Sequence, residues 1–385
     1  MKRRTRRWRG PALFATIVLA YAGMQLYAVS AAYRGLALAP PYLPLLVVWA
    51  LLMTFFPFLL WRLERGGWHR LATAGAWFGY TWMGAVFLFF WIALALEGLG
   101  AVVAATDALD PAVPGATGSR TFWLAVALTL GVVVYGFFAA RVPRVERLAL
   151  NSEKIPAGRA PLRIALLSDV HLGALVGAGR LRDIVARVAA LGPDIVLSAG
   201  DLVDGQADHL NRLAPLLAAL RPPLGKFAVI GNHECYVGLA HALEFHARAG
   251  FTVLRGAAVE VTPELGIAGV DDPAAARPGA PAATDERAPL AALASGRFVI
   301  LLKHQPVVAA GSVGRFDLQL SGHLHQGQIF PFGLFVRLMY AARRGLTALA
   351  SGGWLYVSRG TGTWGPPMRV LAPPEITLIE IAPAR

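Results

Sequence analysis

The 385-residue chain contains one cysteine, Cys235, so no intrachain disulfide can form and cysteine usage does not indicate an oxidising compartment. Charge is scarce too: Asp, Glu, Lys and Arg make up 15% of residues, against 56% hydrophobic ones, and mean hydropathy is +0.53. That excludes a single ordinary soluble domain and makes a membrane portion the first expectation. Acidic residues are outnumbered, 23 against 36 Lys and Arg, leaving a net charge of +13. Such an excess would suit a nucleic acid. However, residues 1–150 hold 14 Lys/Arg against 5 Asp/Glu, and the remainder holds 22 against 18. Most of the surplus therefore lies beside apolar runs, where cytoplasmic loops collect arginine, and no nucleic-acid partner is expected. Internal repeats are absent as well.

What is present first is a set of four apolar runs, at about 11–32, 41–61, 71–96 and 121–140, each long enough to cross a hydrocarbon core of about 30 Å. Lys2, Arg3, Arg4, Arg6, Arg7 and Arg9 precede the first, Arg62, Arg65 and Arg70 separate the second from the third, and Arg141, Arg144 and Arg147 follow the fourth. The positive-inside rule places these three segments in the cytoplasm. The stretch carrying Asp107 and Asp110 then falls on the outer side. Residues 1–145 are thus expected to form a multi-pass inner-membrane region, with the rest of the chain returned to the cytoplasm. One competing reading remains: Thr5-Arg6-Arg7-Trp8 resembles a twin-arginine export signal, which would put the later domain outside. The spans lack paired charges, which weakens a transport role.

After a linker at 146–161 the composition changes. Short Ile/Val/Leu runs alternate with segments of helical period, an α/β pattern. Strands are expected near 163–168, 194–199, 226–230, 265–270, 298–302, 317–320 and 376–381, and helices near 180–191, 208–220, 239–249 and 289–294. The polar residues after five of these strands form a consistent set: Asp169 and His171; Asp201 and Asp204; Asn232, His233 and Glu234; His304; His323 and His325. Ligands bind at the carboxyl ends of strands in open α/β sheets, so five distant segments can converge on one cleft. Asp, Asn and His offer the oxygen and nitrogen donors that suit Mn²⁺, Fe²⁺, Zn²⁺ or Mg²⁺. Paired cations need a bridging carboxylate between them, the layout of phosphoryl hydrolysis. Singly, each segment has a plainer explanation, such as a helix cap at Asp169 or a common βα turn at Gly200-Asp201. In this order together, they do not.

Asp169-x-His171, Gly200-Asp201, Gly231-Asn232-His233-Glu234, His304 and Gly322-His323-x-His325 resemble the calcineurin-like metallophosphoesterase signature. The later Gly360-Thr361-Gly362 and Pro366-Pro367-Met368-Arg369 resemble its bacterial membrane-associated branch. The resemblance covers about 162–385. It implies a β-sandwich flanked by α-helices, following the four-helix transmembrane region. It also implies two divalent ions, one held by Asp169, His171, Asp201 and His325 and the other by Asp201, Asn232, His304 and His323, with Asp201 bridging. His233 would act on the phosphoryl group or the leaving group instead of ligating. Asp204 and Glu234 would orient histidines from behind.

The expected activity is hydrolysis of a phosphodiester or pyrophosphate, with manganese a natural cofactor. The anchor favours a lipid-linked substrate, a phospholipid or a nucleotide-linked lipid, and a place in lipid metabolism. The alternatives are a phosphomonoesterase or protein phosphatase, or a non-catalytic regulatory or transport protein with a metal-binding domain. His209, His241 and His246 lie on expected helices and read as ordinary histidines, and Cys235 as packing. Asp271 and Asp272 suit either the cleft or a solvated loop. The run 329–349, IFPFGLFVRLMYAARRGLTAL, is either a core helix or an interfacial surface admitting a lipid phosphate.

Overall fold

The computed structural model describes residues 9–107, 119–204, 210–276, 283–350 and 352–384. The arginines at 2–7, the export-like Thr5-Arg6-Arg7-Trp8, Asp110 and His209 lie outside them. The chain divides into two compact units, one of Met1–Phe137 with Gly365–Met368 and the other of Phe138–Trp364 with Arg369–Arg385.

The first unit is built from α1 (Arg9–Gly35), α2 (Tyr42–Arg65), α3 (His69–Asp107) and α4 (Ser119–Ala139). All four are long and apolar enough to cross a membrane. Large apolar side chains such as Leu19, Leu45, Val48, Leu99 and Val102 point outward, the surface a bilayer would cover. Inside, small residues let the helices approach: Ala31, Ala93 and Ala125 pack with Phe89. Gln25, buried on α1, accepts from Trp82 Nε1 at 3.3 Å and donates to Tyr21. Helix α3 runs well past the expected end at 96, because Glu97 interrupts the apolar run without interrupting the backbone bonds.

The second unit is a sandwich of two six-stranded sheets. One, in spatial order, holds β1 (Arg144–Ser152), β12 (Glu375–Pro383), β2 (Leu162–Leu167), β3 (Ile195–Ser198), β4 (Lys226–Ala228) and β5 (Thr252–Val253). The other holds β10 (Gly345–Ala348), β11 (Trp354–Val357), β9 (Leu318–Ser321), β8 (Phe298–Leu302), β7 (Leu265–Gly269) and β6 (Ala257–Thr262). Alternate residues explain the layering. Ile164, Leu166, Ile195 and Leu197 meet Ile267, Ile300, Leu302, Leu318 and Leu320 between the sheets. Ala165, Leu167, Val196 and Leu378 face the opposite way, onto α5 (Ala178–Ala190), α6 (Ala214–Ala218) and α8 (Leu239–Arg248). Leu301 and Ala268 turn outward to α9 (Arg287–Ala291) through Leu290. A strand covered on both faces needs apolar side chains at every position, which is why these strands read as unbroken runs.

Lys226 closes the carboxyl ends of two helices at once: its ammonium donates to Leu217 O and Ala249 O, both at 2.6 Å. Burial, and then the charge of Arg221, lower its pKa to about 8.

Three expectations need correction. Part of the expected linker at 146–161 is strand: residues 146–152 belong to β1, which pairs in parallel with β12 along its whole length. It is an edge strand, so its outer positions keep Arg144, Glu146 and Arg147 and mask the strand pattern. The helix expected over 208–220 is confined among the described residues largely to α6. Finally, 329–349 is not a core helix: α10 (Phe332–Met339) has no buried residue.

Candidate metal centre

Parallel pairing of β2 with β3 and β3 with β4 in one sheet, and of β7 with β8 and β8 with β9 in the other, aligns the carboxyl ends within each sheet. Asp169 and His171 follow β2, Asp201 follows β3, and Asn232 and His233 open α7 (Asn232–Val237) after β4. His304 follows β8, and His323 and His325 follow β9. The backbone there is held in an unusual shape. Asp169, His171, Asp201, His323 and His325 all have positive φ, between 46° and 72°. Non-glycine residues pay about 1–3 kcal/mol each for such conformations, and they cluster where function over-determines them. Close approach also fixes Gly322, where a Cβ would run into Ser168 and the Asp169 carboxylate.

Of the seven residues expected as ligands, all but Asn232 fall into close groupings here. Three groupings bring donor atoms within 4.8 Å of one another: Asp169, His171 and His325; Asp201, His304 and His323; and His171, Asp201 and His233. His171 Nε2 faces His325 Nε2 at 3.0 Å, and His304 Nε2 lies 3.1 Å from Asp201 Oδ2 and 3.2 Å from His323 Nδ1. His304 Nδ1 donates to Ala199 O at 2.9 Å, leaving Nε2 to face the cluster. The buried Asn232 Oδ1 has no hydrogen-bond partner among the described residues.

The electrostatics call for added positive charge. Asp169 and Asp201 are fully buried carboxylates, costly unless paired. Burial opposes charging of Asp201, yet the adjacent His304 holds its carboxyl well below the usual range. Burial likewise opposes protonation of His304, and Asp201 overcomes it, raising its pKa to about 10. His323 goes the other way, down to about 4, through burial and the charge of His304. Protons here balance charge that divalent cations would balance, so the donor set and its orphaned oxygen fit metal ions.

The two supporting carboxylates divide. Asp204 accepts from His233 Nδ1 at 2.6 Å and lies 3.5 Å from His171 Nδ1, so it does orient histidines. Those histidines lower its pKa to about 2 against the opposing effect of burial. Among the described residues, Glu234 makes its hydrogen bonds to backbone N–H groups and not to histidine. Its carboxylate accepts from the backbone N–H of Asp201, Leu202, Val203 and Gly231 at 2.7–3.2 Å, tying the β3 and β4 turns together. The expected histidine partner for Glu234 is replaced by backbone N–H groups.

His233 is anchored by donation from its backbone N–H to Asp201 Oδ1 at 2.9 Å. Its pKa rises to about 9, because Asp204 outweighs the opposing effect of burial. Two exposed aromatics border it: Tyr236 at 5.3 Å and Trp364 at 5.7 Å between ring centroids. Sequence reading gave no role to either, nor to Tyr340, whose hydroxyl is 3.0 Å from His323 Nε2, nor to Arg369, which it quoted only within the Pro366-Pro367-Met368-Arg369 motif. Asp271 pairs with Arg255, whereas buried Asp272 accepts from Gln305 Nε2 and Ala274 N and stands close enough to the centre for its charge to favour protonation of His304 and His323.

A sandwich that gathers His, Asp and Asn donors from both sheets around a shared buried carboxylate defines a metal-dependent phosphoester hydrolase. The family model for calcineurin-like phosphoesterases matches residues 162–327. An Aquifex aeolicus protein named as an uncharacterized metallophosphoesterase is 43% identical over 257 residues, 66% of this chain and 97% of its own. A Danio rerio transmembrane protein with a metallophosphoesterase domain is 34% identical over 75% of this chain and 69% of its own. That share exceeds what 162–385 accounts for. A 5′-nucleotidase precursor from Thermus thermophilus aligns at 15% identity over 58% of this chain and 54% of its own, with a TM-score of 0.36, a likeness too slight to add to these. The chain belongs to the calcineurin-like metallophosphoesterase family, and with its four apolar helices it is a membrane protein.

Proposed function

We propose that the protein hydrolyses phosphodiester or pyrophosphate bonds, those of a lipid-linked substrate in particular, using two divalent ions. The observation that carries this reading is the sharing of Asp201 between donor groups from opposite sheets. Asp169, His171, Asp201 and His325 would hold one ion, and Asp201, Asn232, His304 and His323 the other. Bound there, such ions polarise phosphoryl oxygens and lower the pKa of an attacking water. The chain's own residues do the rest. Asp204 keeps the His233 proton on Nδ1 and fixes the ring, so the far edge of the imidazole is presented to the leaving oxygen as a general acid. Glu234 holds the Asp201 turn so that the carboxylate cannot swing away. The arginine-flanked spans support a cytoplasmic domain at an inner membrane.

Purified full-length protein with Mn²⁺ should turn over bis(p-nitrophenyl) phosphate faster than p-nitrophenyl phosphate, and should cleave phospholipids or nucleotide-lipid diphosphates. Hydrolysis that survives exhaustive chelation would overturn the reading.

Tyr236 and Trp364, 66% and 55% exposed, stand where the departing group of a diester would lie. Stacking on such rings is worth about 0.5–1.5 kcal/mol. Trp364→Ala is therefore expected to raise KM for an aryl diester by about three- to tenfold, with kcat little changed. Steady-state kinetics decide the point: a fall in kcat at constant KM would mean that Trp364 positions His233 instead.

A further inference from the structure

We infer that α10 and its flanks form a bilayer-docking surface, seated in the interface of an anionic membrane on the side of the centre where His323 lies. Within α10, Val336 and the following Tyr340 turn inward to pack near Leu324, Leu355 and Val357. Leu334 and Leu338, four residues apart and so on one face, point out with Met339. Leu338 is 85% exposed and Met339 61%. Phe330, just before the helix, and Leu371, brought alongside through the Phe330 N–H to Val370 O bond, are exposed as well. An eight-residue helix is too short to persist by propensity alone, and an apolar outer face gives water no reason to favour it.

Charge identifies the occupant. No Asp or Glu occurs between Asp317 and Glu375, whereas Arg337, Arg343 and Arg344 stand exposed on and just after α10. An apolar stripe with only basic neighbours is the composition of a helix lying in a lipid interface, and each such cation near an anionic leaflet contributes about 1 kcal/mol. The chain also carries its own membrane anchor, four apolar spans ahead of β1. Tyr340, ending this surface, reaches His323 at 3.0 Å. The second half of the inference, that a lipid-borne phosphate enters the centre from this side, rests on the function proposed above.

The test uses full-length protein carrying Cys235→Ser and a single bimane label at Leu338→Cys, or at Glu244→Cys on the outer face of α8 as control. The protein is reconstituted in vesicles of phosphatidylcholine with or without phosphatidylglycerol. Doxyl-labelled lipid should quench bimane at position 338 by about twofold or more and leave position 244 unaffected. The effect should weaken when phosphatidylglycerol is omitted, or when Arg337, Arg343 and Arg344 are changed to Gln. A label at 338 that iodide reaches as readily as at 244, without lipid quenching, would overturn docking. So would loss of exposure that follows protein density in the vesicle, which would mean a second copy covers the face. Fluorescence reads docking whether or not any phosphoester is cleaved, so failure of the catalytic reading leaves this result standing. With catalysis in hand, Leu334→Ser with Leu338→Ser should cut turnover of a vesicle-borne lipid diphosphate about tenfold and leave bis(p-nitrophenyl) phosphate within about twofold. Equal loss on both substrates would overturn the entry route.

Discussion

Asp201→Asn is expected to lower kcat for bis(p-nitrophenyl) phosphate by about a thousandfold or more, equivalent to about 4 kcal/mol of lost transition-state stabilisation, and to lower bound metal per chain. The substitution is isosteric, so Oδ1 can still accept the His233 backbone N–H that it now holds at 2.9 Å. What disappears is the charge on Oδ2, 3.1 Å from His304 Nε2 and 3.9 Å from His171 Nε2. Among the described residues this is the carboxylate common to donor groups on the two sides of the centre, and an amide would not offset the charge of the ions proposed to bind there. The backbone bonds from the Asp201, Leu202 and Val203 N–H groups to Glu234 do not involve the Asp201 side chain, so the turn should persist and far-ultraviolet circular dichroism should be unchanged. Retention of a tenth of the activity with full metal content would remove Asp201 from the bridging position. Glu234→Gln makes a useful contrast. It keeps the geometry of the four accepted N–H groups only in part, so the expected loss is mixed, in stability as well as rate.

The centre was readable from sequence because of how its strands are buried. Where both faces of a strand are covered, an unbroken apolar run ends abruptly in the first polar residue, and that residue sits at the carboxyl edge. Asp169, Asp201, Asn232, His304 and His323 all lie within four residues of the end of such a strand, so their positions can be picked out without knowledge of which strands pair. Strands exposed on one side gave no such signal. β1 alternates charge with apolar residues as a linker might, and only its parallel register with β12, over two hundred residues away, makes it a strand. Contacts made by long reach were illegible for the same reason. Glu234 looked like a partner for histidine because histidine is beside it in sequence, yet backbone N–H groups from two turns satisfy it. Tyr340 meets His323 by way of α10. The segment 329–349 could not be assigned by composition either, since a core helix and an interfacial one have the same apolar content and differ only in what faces them.

Arg369 is the strongest case of a residue hidden by distance, and its truncation is expected to destabilise the protein most among these variants. It lies fully buried, 44 residues beyond His325, and donates to the carbonyls of Arg359 at 2.7 Å, His325 at 3.1 Å, Gly362 at 2.6 and 3.1 Å and Ala372 at 3.3 Å. Its Nη2 also lies 3.1 Å from His325 Nδ1. Burial lowers its pKa to about 9, so the guanidinium remains charged at neutral pH, and that charge, with burial ahead of it, holds His325 neutral. Neutral imidazole is the form that ligates a metal. Arg369→Ala would leave several buried carbonyls unpaired, each costing about 1–3 kcal/mol, and would open a cavity beside the His325 turn. A loss of about 3–5 kcal/mol follows, which for a domain of this size lowers Tm by roughly 10 °C. Arg369→Met fills most of the volume without donors, and Arg369→Lys restores charge without the planar fork, so the order of stability should be Arg, then Lys, then Met, then Ala. Metal affinity measured well below every Tm should fall in Ala and Met beyond what unfolding explains, because His325 sits at the end of the turn that Arg369 fixes. A Met variant as stable as the parent and with unchanged metal affinity would show that the cavity, not the carbonyls, was what Arg369 served.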